Sequence, residues 1–126
     1  MTVYYAQTAA AQTNASKWTP IPDLVLQLPE GVDVNALVVV NLPNPYAQGQ
    51  NNPGALVGIA VNGNVLPIYA SFTYNEKVPP STGRIPTTLV AAVPLTLKPQ
   101  TVEAVWQGVR GSTVIIDSPA TLSAII

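Results

Sequence analysis

Residues 56–69 read LVGIAVNGNVLPIY and contain the clearest fold signal in the chain. Two apolar runs rich in β-branched residues flank Asn62-Gly63, a pair typical of the tight turn between antiparallel strands. Pro67 has no backbone N–H to donate, so the second run is expected to be an edge or bulged strand. The stretch therefore predicts a β-hairpin.

The whole chain follows this pattern, because thirteen prolines and eight glycines separate short apolar runs. Besides the hairpin strands 56–61 and 65–69, strands are expected over residues 24–28, 36–42, 71–74, 87–93, 102–107, 114–116 and 122–126. In the run 102–107, alternation places Trp106 on the same face as Val102 and Ala104. Nine strands without a convincing helix predict an all-β fold, a jelly roll or related two-sheet sandwich.

Some stretches need individual interpretation. The run 36–42 is continuously apolar, so we expect it to be buried on both faces. Residues 6–16 fit a helix or an extended segment equally well, and residues 43–54 predict a long loop. Trp18 is expected to be an anchor, either in the core or at an interface. Tyr69 is interpreted as ordinary strand packing.

The composition predicts one domain, residues 1–126, that associates with other copies of itself. A chain of 126 residues can bury a core without disulfides. Its residues are 48% hydrophobic and only 9% charged, against a usual charged share of about 25%. A small globule cannot bury so much apolar surface alone, and the excess usually lies at subunit contacts.

Charge and hydropathy argue against nucleic acid and membranes as partners. The net charge is −1 and no basic patch exists, so binding to phosphate backbones is not expected. No apolar run approaches the ~20 residues that span a bilayer, so membrane insertion is not expected either. Residues 1–7 lack the features of a secretory signal peptide. Synthesis in the cytoplasm, with any export by a non-classical route, is the resulting expectation.

The available side chains also argue against an enzyme. The chain has no histidine and no cysteine, so Ser-His-Asp and Cys-His mechanisms are impossible within it. Its six acids are scattered, and neither a metal site nor any other cofactor is predicted. A glycosidase needs only two carboxylates, and Glu76 with Asp117 would be the best pair. A simpler interpretation is that Asp117 orients an arginine or caps a turn.

The candidate binding residues lie around the chain's only two arginines, Arg84 and Arg110. Arg84 closes the stretch 72–84, FTYNEKVPPSTGR, in which hydroxyl side chains are frequent. A guanidinium offers five fixed N–H donors, and hydroxyl groups both donate and accept. Tyr46 and Tyr74 each add a flat ring that can lie on a pyranose. Together these groups suit a neutral polyol such as a sugar; the alternative is a Pro-Gly turn with a surface arginine.

Seven segments, in order and at nearly constant spacing, resemble a known family: residues 41–47, 72–74, 77–79, 81–84, 106, 109–112 and 116–118. They are similar to the N-terminal, TNF-like fucose-binding domain of the Burkholderia superlectins. The similarity runs from about residue 41 to residue 125, whereas the residues before Asp23 match poorly.

The resemblance implies a TNF-like jelly-roll lectin that forms a homotrimer and binds fucosylated oligosaccharides on cell surfaces without a metal. Each sugar site would lie between two protomers. One protomer would supply Tyr46, Ser81, Thr82 and Arg84, and its neighbour Thr73, Tyr74 and Arg110. Asp117 would be a supporting residue near the sugar rather than a primary contact.

Two departures from the family pattern bear on oligosaccharide preference. Leu56 replaces a tyrosine after a loop that is one residue shorter, and Pro80 replaces an acidic residue. The family's second, calcium-dependent lectin domain is absent from these 126 residues, which fits a single-domain lectin or an excised domain. The competing interpretations are a structural or protein-binding jelly-roll trimer and a small glycoside hydrolase.

Overall fold

The computed structural model describes residues 1–75 and 83–126. These residues form eleven strands: β1 (Val3–Gln7), β2 (Ala11–Thr13), β3 (Thr19–Leu28), β4 (Asn35–Leu42), β5 (Pro45–Gln48), β6 (Gly54–Val61), β7 (Asn64–Thr73), β8 (Thr87–Pro94), β9 (Gln100–Val109), β10 (Thr113–Ile116) and β11 (Thr121–Ile125). This part of the chain contains no helix, and hence none that could span a membrane.

The strands pair antiparallel in three sheets. Two have four strands, in the orders β1-β11-β4-β8 and β3-β9-β6-β7, and a smaller one has the order β2-β10-β5. Strands that are far apart in sequence are therefore neighbours in the sheets. β11 pairs with β4, and β3 pairs with β9. The predicted all-β class is confirmed, and the arrangement is consistent with a jelly-roll sandwich.

One apolar core lies between the sheets. Every second residue of β8 is buried, which is the alternation expected of a strand with one covered face. Trp106 is 1% exposed and belongs to the same buried cluster as Val102 and Ala104, as the alternation predicts. Full burial of a valine, leucine or isoleucine side chain in this core contributes about 1.5–3 kcal/mol relative to leaving it exposed.

The hairpin predicted from residues 56–69 is confirmed as β6 and β7. Asn62 and Gly63 have φ values of 50° and 83°, and two consecutive left-handed residues are typical of a type I′ turn. β7 is the outer strand of its sheet, and the register shifts near Pro67, between Gly58 and Ala60 of β6. Both consequences expected of Pro67 therefore occur. The predicted strand 71–74 is the end of β7 rather than a separate strand.

Two segments for which no strand was predicted also contain strands that pair in a sheet. Within residues 6–16, the end of β1 and the whole of β2 are extended, and β2 pairs with β10. The predicted loop 43–54 includes β5, whose Ala47 is fully buried. β10 supplies the hydrogen-bonding partner for both β2 and β5, and tertiary pairing of this kind overrides weak local propensity.

The prediction that residues 36–42 are buried on both faces is wrong for the single chain. Val38 and Val40 are fully buried, but Leu37 is 44% exposed. In a two-layer antiparallel sandwich only one face of each sheet meets the core. The other face of β4 is nevertheless apolar, and so is the adjoining face of β8, where Val90 is 46% exposed.

Candidate functional site

Arg84 lies where two paired strands end. The Ile85 N–H donates to the Pro45 carbonyl at 3.1 Å, which holds the residues before β8 against β5. Pro45 also pairs with Ile116 of β10, so the next residue, Asp117, emerges at the same place. The Arg84 Nη2 lies 2.5 Å from the Asp117 Oδ2, and the two side chains are 27% and 45% exposed. Asp117 thus orients an arginine, as one interpretation of the sequence expected.

The guanidinium of Arg84 also stacks on Tyr46. Its central carbon is 3.8 Å from the ring centroid, within the range of a cation–π contact. Tyr46 belongs to β5 and pairs with Ile115, one residue before the pair that positions Asp117. The carboxylate and the ring together fix the plane of the guanidinium. Among the described residues, the buried Arg84 Nη1 has no hydrogen-bond partner, so this nitrogen retains its donors.

Tyr74 completes this first cluster, which we call the Arg84 group: Tyr46, Tyr74, Arg84 and Asp117. The Tyr74 hydroxyl donates to the carbonyl of Gly83, the residue before Arg84. Its ring packs edge-on against Phe72, with centroids 6.1 Å apart. Burial raises the pKa of the Tyr74 hydroxyl, and the positive charge of Arg84 partly opposes that shift. The hydroxyl is therefore a protonated donor at neutral pH.

Arg110 lies in a tight turn between β9 and β10. Arg110 and Gly111 have φ values of 51° and 74°, and the Ser112 N–H donates to the Val109 carbonyl at 3.0 Å. Two consecutive left-handed residues again correspond to a type I′ turn. This left-handed backbone conformation is uncommon for a residue other than glycine. It sets the direction in which the side chain of Arg110 leaves the turn.

The fork of Arg110 is held by a loop and by the end of β7. Its Nε and Nη2 donate to the Asn52 carbonyl at 2.9 and 2.6 Å, and Nε also donates to the Asn51 carbonyl at 3.2 Å. Nη2 donates in addition to the Thr73 Oγ1 at 3.0 Å. We call this second cluster the Arg110 group: Asn51, Asn52, Thr73 and Arg110.

Buried contacts fix the loop that carries Asn51 and Asn52. The Gly54 N–H donates to the Oγ of Ser112, which is 1% exposed, at 3.0 Å. Gly54 must lack a side chain, because a Cβ there would overlap the Phe72 carbonyl oxygen and lie 2.7 Å from the Thr73 Oγ1. The Tyr74 N–H donates to the Pro53 carbonyl at 2.8 Å. The loop therefore cannot move without disturbing β7.

Within one chain, the predicted site residues divide into these two groups. Thr73 and Tyr74 are consecutive, yet Thr73 joins the Arg110 group and Tyr74 the Arg84 group, since neighbours on an extended chain point to opposite sides. No hydrogen bond or ion pair between side chains joins the two groups within residues 1–75 and 83–126. Ser81 and Thr82 lie outside the described residues.

Sequence reasoning missed the partners of Arg110. Asn51 and Asn52 act through backbone carbonyls, which every residue has, so no side-chain pattern could indicate them. The Asn-Pro-Gly composition of the loop was the only available signal. Residues 1–75 and 83–126 also contain no cluster of three acids that could hold a metal ion. What the two groups offer is fixed N–H donors, hydroxyls and aromatic rings.

A protein-family model described as "Bc2l-C, N-terminal domain" matches residues 8–125. The chain belongs to this family. The resemblance to the N-terminal domain of the Burkholderia superlectins is thereby confirmed. The match to the family model begins at residue 8, whereas the similarity of motifs began at about residue 41. No curated protein matches the chain. Membership of the Bc2l-C N-terminal-domain family indicates lectin-type carbohydrate binding and favours a protein without catalytic activity.

Proposed function

We propose that this chain is a lectin that binds fucosylated glycans at sites shared between neighbouring protomers of a homotrimer, without catalysis. The observation that carries the proposal is the geometry of Arg84. Its guanidinium lies on the ring of Tyr46 and is held by Asp117, and the side chain remains 27% exposed. A preorganised donor loses little conformational entropy when a ligand binds.

The charges of the Arg84 group favour a neutral ligand. The carboxylate of Asp117, 2.5 Å from the guanidinium, balances the charge of Arg84. The pair therefore has no net charge that would attract an anion. The arginine can donate to a sugar oxygen, while Asp117 holds its guanidinium in place as a supporting residue. The hydroxyl groups of a polyol accept from such a donor without adding charge, whereas an anionic phosphate or carboxylate would be repelled by the nearby Asp117 carboxylate. Ser81 and Thr82, just before Arg84 in the chain, are expected to add hydroxyl contacts.

Assembly of the site between protomers is supported by two observations. Within residues 1–75 and 83–126 no side-chain hydrogen bond or ion pair joins the two groups, and β4 and β8 have an apolar outward face. A second copy of the chain that brings its Arg110 group to the first copy's Arg84 group would present two guanidinium forks to one sugar. Leu37 and Val90 leave apolar surface that a subunit contact would cover. A cyclic trimer repeats such a contact three times.

Complementation between two inactive variants tests the shared site. Arg84→Ala and Arg110→Ala proteins are unfolded together and refolded as mixed trimers. Random assortment around a cyclic trimer leaves about a quarter of the interfaces with both arginines intact. Those interfaces should bind L-fucose with normal affinity, which titration calorimetry measures as a fractional stoichiometry. A site within one chain predicts no recovery, because every protomer carries a lesion.

A glycan array distinguishes the lectin from the alternative, a structural or protein-binding trimer. Binding should concentrate on fucosylated glycans, and its absence from all of them would contradict the proposal. A monosaccharide offers few atoms, so we expect a Kd between about 1 µM and 1 mM per site. Three linked sites should add avidity of roughly 10²–10⁴ on a glycan-dense surface.

Binding should also be independent of metal ions. Excess chelator is expected to leave the affinity for L-fucose unchanged, because the proposed contacts come from guanidinium, hydroxyl and aromatic groups. Loss of binding in EDTA, restored by calcium, would contradict this part of the proposal.

A further inference from the structure

Trp18 is half-buried and lies on the outward face of the sheet β3-β9-β6-β7. Of the two places expected for it, the core is wrong and an interface stays a prediction. A Cβ at Gly58 of β6 would lie 3.1 Å from both the Cζ3 and the Cη2 of Trp18. Val105 faces outward beside Gly58 and is only 4% exposed. The indole ring therefore covers the position where β6 has no side chain.

Tyr69 stands next to this indole. It pairs with Gly58 across β6 and β7, and its ring is edge-on to Trp18, with centroids 6.2 Å apart and planes at 63°. Tyr69 thus packs on its strand against a neighbouring ring, and the ring is 54% exposed to solvent. We call Trp18 and Tyr69 the aromatic pair.

The outward face of β7 connects the aromatic pair to the Arg110 group. Tyr69, Ser71 and Thr73 alternate with the inward Ala70 and Phe72, and all three are exposed. A strand rises about 3.2–3.4 Å per residue, so the four steps from Tyr69 to Thr73 cover about 13 Å. Thr73 is the residue that accepts from Arg110.

Polar and apolar groups line the intervening row. Ser71 of β7, Leu56 of β6 and Gln107 of β9 lie side by side in the sheet and face outward. Ser71 is exposed, while Leu56 and Gln107 are half-buried. A strip with a hydroxyl, an amide and an aliphatic side chain, ending at two aromatic rings, matches the alternating hydroxyls and C–H faces of an oligosaccharide.

We propose that the aromatic pair is a distal subsite for the extended part of a glycan whose terminal sugar is bound near Arg110. This inference rests on the proposed lectin function and adds the direction in which the glycan runs. The glycan would pass along Ser71 and Gln107, and a distal pyranose would place its C–H face on the ring of Tyr69. The span of about 13 Å exceeds one sugar ring, so only an oligosaccharide of several residues can reach the pair.

Tryptophan fluorescence gives a direct readout of this subsite. The chain has two tryptophans; Trp106 is buried in the core, whereas Trp18 is part of the pair. Titration with fucosylated oligosaccharides of several residues should change the emission, and L-fucose should not. The change should disappear in a Trp18→Phe variant. The same change with L-fucose, or none with any oligosaccharide bound by the protein, would overturn the proposal.

Calorimetry on Tyr69→Ala and two control variants locates the contact. Tyr69→Ala should weaken binding of the long oligosaccharide roughly 2- to 10-fold, the range of an aromatic contact, and leave L-fucose binding unchanged. Tyr69→Phe keeps the ring and should bind like wild type. Ile68→Ala removes the exposed side chain of the preceding residue and should have no effect.

The possible failures can be told apart. If wild type binds L-fucose and Tyr69→Ala binds long and short sugars equally well, the distal subsite is wrong and the lectin function stands. If wild type binds no sugar of any length, both fail. If Tyr69→Ala changes the oligomeric state in sedimentation, the pair is a contact between copies of the chain, and the subsite is again wrong.

Discussion

Arg84 and Arg110 are the chain's only arginines, and different parts of the protein hold them. Side chains hold Arg84, namely the carboxylate of Asp117 and the ring of Tyr46. Backbone carbonyls of a loop and one threonine hydroxyl hold Arg110, whose own backbone is left-handed. The geometry of Arg84 therefore depends on the identity of its neighbours, whereas that of Arg110 depends on the conformation of the chain around it.

The largest effect on binding is expected from loss of the side-chain-held arginine. A hydrogen bond to a charged group contributes about 1.5–3 kcal/mol, so Arg84→Ala should weaken L-fucose binding roughly 10- to 150-fold in calorimetry. Arg84→Lys should restore little, because an ammonium group cannot reproduce a planar fork lying on Tyr46. Wild-type affinity of Arg84→Lys would mean that the residue supplies only charge.

The backbone-held arginine can be disturbed without changing any of its partners. Gly54→Ala forces the new Cβ against Phe72 and Thr73, so we expect the free energy of unfolding to fall by about 1–3 kcal/mol. Sugar binding should weaken as well, because Thr73 shifts relative to Arg110. Denaturant unfolding and calorimetry measure the two effects.

Gly49→Ala is the matched control for this prediction. Gly49 lies in the same connection, but a Cβ there would have its nearest contact at 3.4 Å. We expect a change within about 0.5 kcal/mol. Equal destabilisation by both substitutions would contradict the idea that close packing at Gly54 positions the Arg110 group.

A smaller effect is expected from Asp117→Asn. The pair is partly exposed, and such pairs contribute at most about 1 kcal/mol, so affinity should fall no more than about 5-fold. Because salt screens partly exposed charges, the difference from wild type should shrink between low and high ionic strength. A loss as large as that of Arg84→Ala would show that Asp117 contacts the sugar directly.

The smallest effect concerns the Tyr74 hydroxyl in alkaline solution. Burial raises the pKa of Tyr74 above its ordinary value of 10.0, so the folded state keeps the proton after the unfolded chain has lost it. The unfolded state then binds fewer protons, and stability falls as pH rises above 10.0 toward the raised pKa. Thermal unfolding of Tyr74→Phe should show a shallower decline over that range, and an identical decline would contradict the assignment.

The sequence predicted the strands that carry their own signal. The Asn62-Gly63 turn and the apolar run of β4 are local features, and both elements occur where expected. β2 and β5 were missed because their sequences are weakly apolar, and they are extended only because β10 lies between them. Burial of both faces of β4 was wrong for the single chain, because the apolar pattern of a strand does not state what covers each face.

For the candidate site as well, the sequence predicted some features and the structure was needed for others. Charge and the carry-over from the family indicated Tyr46, Arg84, Arg110 and Asp117, all of which belong to one of the two groups described. The grouping of Tyr74 with Arg84, and of Thr73 with Arg110, required the three-dimensional arrangement. The roles of these residues in sugar binding stay predictions.

Pro67 has a consequence for behaviour in solution. Exposed strand edges can join copies of a protein to one another, so a sheet needs features that block its outer strands. β3 and β7 are the outer strands of their sheet, and each contains proline: Pro20 in β3 and Pro67 in β7. Proline offers no N–H to an incoming strand, and the irregular register near Pro67 removes the flat template that such a strand needs. The strand that carries Thr73 to the site is thereby a poor seed for aggregation.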